Sequence, residues 1–256
     1  MLPLLSSDEV VARLAELVVP GAALAFDADG TLWSGDIGID AFEHLLERRA
    51  VRPEAVPALR NEAESYGLTS SGATEMARAL YEAFASGVYP ESPAFQMMAW
   101  VFAGYTEAEA RDMSLEVVEK VGLAARLHPE ILPVLRWATD NGVRVLVVSA
   151  SSSIVVRAAV ERLGIVASEV IGMSAAIENG VVAARVVEPI TYGPGKVEAL
   201  RRSARGAKVI GAFGDSLYDL PMLCDATLGV TVRPKPELRE KADARAELVE
   251  LAPRPA

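Results

Sequence analysis

The sequence predicts a doubly wound α/β fold, a Rossmannoid parallel sheet wrapped by helices, carrying an inserted all-helical cap and a small β-hairpin. Three observations predict the sheet and its insert. The runs "AALAF" (22–26), "VRVLVV" (143–148) and "KVIGAF" (208–213) are short and almost wholly apolar, as strands buried on both faces of a parallel sheet must be. The later runs alternate with the helical patterns "HPEILPVLRWATDNG", "SSIVVRAAVERLG" and "GKVEALRRSARG", the order in which crossover helices join parallel strands. From Ile37 to Leu123, Ala, Glu, Leu and Arg recur at helical spacing with no strand-like run between them.

In chain order, Ser6 and Glu9 form a capping box ahead of "VVARLAEL", which opens a helix that Pro20-Gly21 stops. "AALAF" follows as the first core strand and delivers Asp27. The insert holds "IDAFEHLLERRA" and "TEAEARDMSLEVVEKVG", both at helical spacing, so the expected division is a core of residues 1–36 and 124–256 and a helical cap of 37–123. After "VRVLVV", Ser149, Ser151, Ser152 and Ser153 are expected to open a helix. Asn179-Gly180 in "MSAAIENGVVAARVV" marks a type I′ hairpin, and "ATLGV" (226–230) is a further strand.

Composition narrows the function. The chain has 256 residues, 51% of them hydrophobic, enough for a sizeable core. Its 35 acidic against 25 basic side chains give a formal charge of −10, which disfavours nucleic acid or an anionic membrane surface as partner. The N-terminal stretch lacks a basic leader region, and the apolar stretch Leu17–Phe26 is only ten residues long and contains Pro20-Gly21, so a cytoplasmic protein is expected. One cysteine, Cys224, excludes an intramolecular disulfide and reads as a buried apolar filler. His44 and His128 are too few for a zinc-like cluster and read as structural or solvated.

In an open parallel sheet, ligands bind beyond the carboxyl ends of the strands. There the sequence places Asp27 and Asp29 in "DADGT", Ser149 and Ser151 after the second run, and Asp215 and Asp219 in "GDSLYD". Lys196 opens a helix after "TYGPG". Four clustered carboxylates cannot all stay ionised in a partly dry cleft without a compensating cation, and oxygen ligands suit Mg²⁺. One of the first pair could then act as nucleophile and the other as proton donor, while Lys196 and the metal offset the charge of a phosphoryl group. "GPGK" is not a phosphate-binding P-loop, because Val197 stands in place of the required Ser or Thr.

In this order and spacing the sequence resembles the haloacid dehalogenase-like superfamily of phosphohydrolases. "DADGT" looks like its first motif, Ser149 its second, Lys196 its third and "GDSLYD" its fourth, with the helical stretch where that family carries a cap. The helical cap and the "GDSLYDLPML" extension are similar to the branch that includes phosphoserine and phosphocholine phosphatases. The resemblance implies that Asp27 forms an aspartyl-phosphate and that Asp29 is general acid, then base. It further implies that Mg²⁺ is held by Asp27, the Asp29 backbone carbonyl and Asp215, with Asp219 in support. Gly30, "SASSS" and Tyr218 stand where phosphoserine phosphatases typically have Ser, a Ser-Gly-Gly turn and Asn, which points away from phosphoserine itself.

The expected activity is therefore Mg²⁺-dependent hydrolysis of a small phosphomonoester, and the alternatives are a phosphotransferase or phosphomutase of the same fold or a receiver-like phosphate-binding module. Asp36, nine residues after Asp27, falls where those enzymes hold a substrate ammonium with a glutamate, but as a residue it fits a helix N-cap equally well. With Trp33 it could meet a cationic head group, and Ser151 is a further candidate substrate contact. Trp33, Trp100, Phe102 and Tyr105 could line an ammonium cage or simply pack within the insert.

Overall fold

The computed structural model describes residues 2–245 and 247–254. In chain order these form β1 (Leu4–Leu5), α1 (Ser7–Leu17) and β2 (Ala23–Phe26), then the helical stretch α2 (Ile37–Glu47), α3 (Val56–Ser65), α4 (Ala73–Ala85), α5 (Glu91–Trp100) and α6 (Glu107–Lys120). The chain continues through α7 (Leu132–Asp140), β3 (Arg144–Ser152), α8 (Ser153–Arg162), β4 (Glu169–Met173), β5 (Ala175–Glu178) and β6 (Val181–Val186). It closes with α9 (Pro194–Ala204), β7 (Val209–Gly214), α10 (Leu220–Asp225), β8 (Leu228–Val232), α11 (Pro236–Ala242) and β9 (Leu248–Leu251).

Among the described residues seven strands make one parallel sheet in the order β1-β9-β8-β7-β2-β3-β4. β2 lies inside the sheet, between β7 and β3, because "ALAF" is apolar on both faces. Leu24 and Phe26 enter one hydrophobic cluster with α1, α7 and α8, whereas Ala23 and Ala25 enter another with α9, α10 and α11. Phe26 and its neighbour in register, Phe213 of β7, stack with ring centroids 4.4 Å apart. The helical stretch shares the first of these clusters: α6 packs along α8, and α5 reaches β3 and β6.

The local signals act as their chemistry requires. Ser6 and Glu9 close both halves of the capping box of α1. β5 and β6 pair as an antiparallel hairpin, with Asn179 and Gly180 at φ 53° and 79°, the two positive angles that a type I′ turn needs. β3 departs from expectation. It runs on to Ser152, with an irregularity between Val148 and Ser152 in its pairing to β4, so Ser149 and Ser151 sit on a distorted strand end and the helix starts only at Ser153. Such a distortion re-aims side chains that a regular pleat would send to fixed faces. Among the described residues no helix is long and apolar enough to cross a membrane.

Candidate active site

The ends of β2, β3 and β7 stand side by side at the centre of the sheet, so the loops that follow them meet over one cleft of about 420 Å³. Asp27 leaves β2 with both carboxylate oxygens engaged. Oδ1 accepts from Lys196 Nζ at 2.7 Å and Oδ2 from the Thr31 hydroxyl at 2.9 Å. Lys196 Nζ also donates to Asp219 Oδ1 at 2.6 Å. Lys196, Asp27 and Asp219 are all buried. The position of Lys196 follows from "GPGK": Pro194 starts α9, and at Gly195 a Cβ would stand 1.8 Å from the Ile190 carbonyl oxygen, so only glycine lets the chain turn this tightly.

The loop after β7 is wound around Asp219. Its Oδ2 accepts from the Asp215 and Ser216 amides and, at 2.8 Å, from the Ser216 hydroxyl. Asp215 is thereby held next to Asp27, with Lys235 Nζ 2.9 Å from its Oδ2. Asp27, Asp215 and Asp219 each offer a carboxylate oxygen within 4.8 Å of the others.

Asp29 faces another set of donors. Its Oδ1 accepts from Trp33 Nε1 and the Ile37 amide, both at 2.8 Å, and its Oδ2 from the Ser151 hydroxyl at 2.8 Å, with the Ser149 hydroxyl at 3.4 Å. The Ser149 oxygen also accepts from the Ser151 amide, which ties the distorted end of β3 to itself. Asp36 Oδ1 accepts from the Ile39 amide at 2.8 Å and so caps α2, and it also lies 3.4 Å from the Ser151 hydroxyl on the cleft wall. Asp36 therefore caps α2 and lines the cleft with the same side chain.

Crowding of acids shows in their proton affinities. Burial, then repulsion by Asp219, pushes Asp27 well above the usual carboxylate range although Lys196 opposes it. Burial raises Asp29 in spite of its hydrogen bonds from Ile37, Ser151 and Trp33. Asp215 is pushed up to about 6 by burial and by Asp219. Burial works against the Lys196 charge, but Asp219 and Asp27 outweigh it and hold the ammonium above the ordinary lysine range. This is the signature of a negative site short of positive charge, and three neighbouring carboxylates are the hard oxygen donors that fit Mg²⁺.

Several expected contacts are corrected. Trp33 is fully buried and does not line the cleft; its indole N–H is committed to Asp29, so it supports that carboxylate rather than offering an aromatic face to substrate. Trp100, Phe102 and Tyr105 are buried, in line with the packing alternative that the sequence offered. Cys224 is exposed, not a core filler, because the short α10 turns its Met222 and Leu223 inward instead. Of the histidines, His128 is buried with Nδ1 3.0 Å from the Thr31 carbonyl oxygen, pinning the first loop from beneath. The sequence reasoning missed Thr31, Lys235 and the outer wall of the cleft, where Glu91 and Phe95 of α5 meet Tyr192 and Tyr218. Lys235 had a signal: it follows the strand "LGVTV" in "RPKPEL", at the same edge of the sheet as the other site loops.

Comparison with known proteins agrees with this geometry. A stretch of 134 residues is 35% identical to the phosphoserine phosphatase of Streptomyces coelicolor, covering 51% of this chain and 32% of that protein. The chain therefore spans much less than the full length of that relative. Among solved structures, a protein of unknown function from Bordetella pertussis superposes with a TM-score of 0.69 at 21% identity, covering 90% of this chain and 98% of that one. A phospho-aspartyl intermediate analogue of a phosphoserine phosphatase superposes with a TM-score of 0.53 at 18% identity, covering 90% and 93%. At such identities these two likenesses concern the fold. Residues 24–224, from the strand that carries Asp27 to the helix beyond Asp219, match the haloacid dehalogenase-like hydrolase family, and the chain belongs to it.

Proposed function

We propose that this protein is a Mg²⁺-dependent phosphatase that hydrolyses a small phosphomonoester through a phosphorylated Asp27. The observation that supports this best is the placement of Asp27: it follows an inner strand of the sheet, shares Lys196 with Asp219, and stands within reach of the Asp215 and Asp219 carboxylates. Asp27, Asp215 and the Asp29 main-chain carbonyl would hold Mg²⁺, with Asp219 in support; bound there it would offset the charge of the phosphoryl oxygens. In the first step a carboxylate oxygen of Asp27 forms a bond to phosphorus as the ester P–O bond breaks. Asp29 in its protonated form gives its proton to the departing alkoxide, and burial raises its affinity for that proton. In the second step Asp29, now a carboxylate, takes a proton from the water that attacks phosphorus, and the Asp27 carboxylate leaves with phosphate released. Lys196 balances charge throughout; Ser149 and Ser151, whose hydroxyls donate to Asp29, would turn those single protons to the phosphoryl oxygens when substrate binds.

We further assign the outer cleft to the leaving group and read residues 37–123 as a cap that selects it through α5. Glu91 meets the Tyr218 hydroxyl, Asp36 lines the same cleft together with Phe95, and the rings of Tyr192 and Tyr218 lie 4.5 Å apart between centroids. Carboxylates set among aromatic faces suit a cationic group such as an ammonium.

The test is turnover of a panel of alkyl and aryl phosphomonoesters. Activity should require Mg²⁺, vanish with excess chelator, and be absent in Asp27→Asn. Asp29→Asn should lose about 10²- to 10⁴-fold with alkyl esters and less with nitrophenyl phosphate, whose leaving group needs no proton. Chelator-resistant turnover, or an active Asp27→Asn, would refute the reading.

A further inference from the structure

We propose that Lys235 is a removable counter-ion for the metal seat: it neutralises Asp215 while no divalent cation is bound and is displaced when one binds. The inference rests on the metal-dependent reading above. Two lysines meet the acidic cluster, and they are built differently. Lys196 is held between two carboxylates with its side chain 3% exposed, so nothing can move it without leaving Asp27 and Asp219 unpaired in the interior. Lys235 reaches a single oxygen of Asp215 at 2.9 Å, with its own side chain 58% and that of Asp215 only 4% exposed. Its ammonium can therefore swing into water at little cost, while the carboxylate it leaves cannot. Its root is fixed. The Lys235 amide donates to the Asp215 carbonyl at 2.8 Å, and Pro234 and Pro236 on either side restrict the backbone. The ammonium thus returns to the same carboxylate whenever that oxygen falls vacant.

Charge arithmetic gives the device a use. Exchanging Lys235 for a monovalent ion replaces one positive charge by one and gains nothing electrostatically, whereas exchange for a divalent ion leaves one additional charge to offset the crowded acids. Lys235 therefore raises the threshold for all cations and favours divalent ones.

The test compares parent, Lys235→Met and Lys235→Arg by calorimetric titration with MgCl₂ and by thermal melting at pH 8 in chelator and in saturating Mg²⁺. Lys235→Met should bind Mg²⁺ roughly five- to tenfold more tightly, because no tethered charge competes. It should melt below the parent in chelator, where Asp215 has lost its partner, and match it once Mg²⁺ is saturating. Lys235→Arg, which keeps the charge, should bind Mg²⁺ with affinity near that of the parent. If Lys235→Met binds Mg²⁺ equally or more weakly, Lys235 orients Asp215 rather than competing for it and the proposal falls. If the parent itself takes up no Mg²⁺, the metal reading fails and this one with it.

Discussion

Asp36 shows how one side chain can serve a helix and a cleft at once. It caps α2, yet burial and the nearby Asp29 charge push its carboxyl up to about 7. The unfolded chain would ionise it near the ordinary value of about 3.9. A carboxylate raised in the folded state favours folding below the unfolded value and loses that advantage as pH climbs through the folded one. From Asp36 alone, stability should thus fall between about pH 4 and pH 7. Asp36→Asn keeps an oxygen for the Ile39 amide but carries no charge. Its melting temperature should exceed that of the parent by a few degrees at pH 8, with the gain shrinking toward nothing near pH 4; a parent that is the more stable form at pH 8 would contradict the assignment. Trp33 teaches a different lesson at this scale. Its type allowed either an aromatic face toward substrate or packing, and only the folded chain reveals that its N–H is spent on Asp29.

At the scale of elements, α5 carries the prediction about selectivity. Glu91, at its first turn, accepts a hydrogen bond from the Tyr218 hydroxyl and has no cationic partner among the described residues. Glu91→Gln should lower kcat/KM for an aminoalkyl phosphate about tenfold, near 1.4 kcal/mol, while leaving nitrophenyl phosphate within a factor of two. Equal effects on both substrates would move cation recognition elsewhere. The strands that carry the acids were readable because continuous apolar runs mean burial on both faces, and Asp27, Asp215 and Lys196 were readable because they follow such runs or open the next helix. The outer wall was not. Glu91, Tyr192 and Tyr218 come from three separate segments, and no periodicity tells that their side chains converge. The extension of β3 past Val148 was hidden for a related reason: the serines from Ser149 to Ser153 look like a helix entry, and the irregular pairing with β4 that goes with the extended stretch up to Ser152 leaves no mark in the sequence.

For the molecule as a whole, the helical insert and one face of the sheet share a single hydrophobic cluster, so α6 and α8 cannot part without exposing it. The site loops hang from β7, β2 and β3, the inner strands, whereas β1 and β4 close the two edges. Local opening begins where backbone groups have fewest neighbours, and the amides of a sheet's interior exchange with deuterium only through its largest openings. The amides of Ala23–Phe26 and Val209–Gly214 should accordingly be among the slowest to exchange under native conditions, well behind Leu4–Leu5 and Glu169–Met173. Faster exchange in the centre than at the edges would show that the sheet opens in some other way. If the order holds, a chain that has frayed at either border keeps its acids in position, and partial unfolding would cost this protein its outline before it cost it its chemistry.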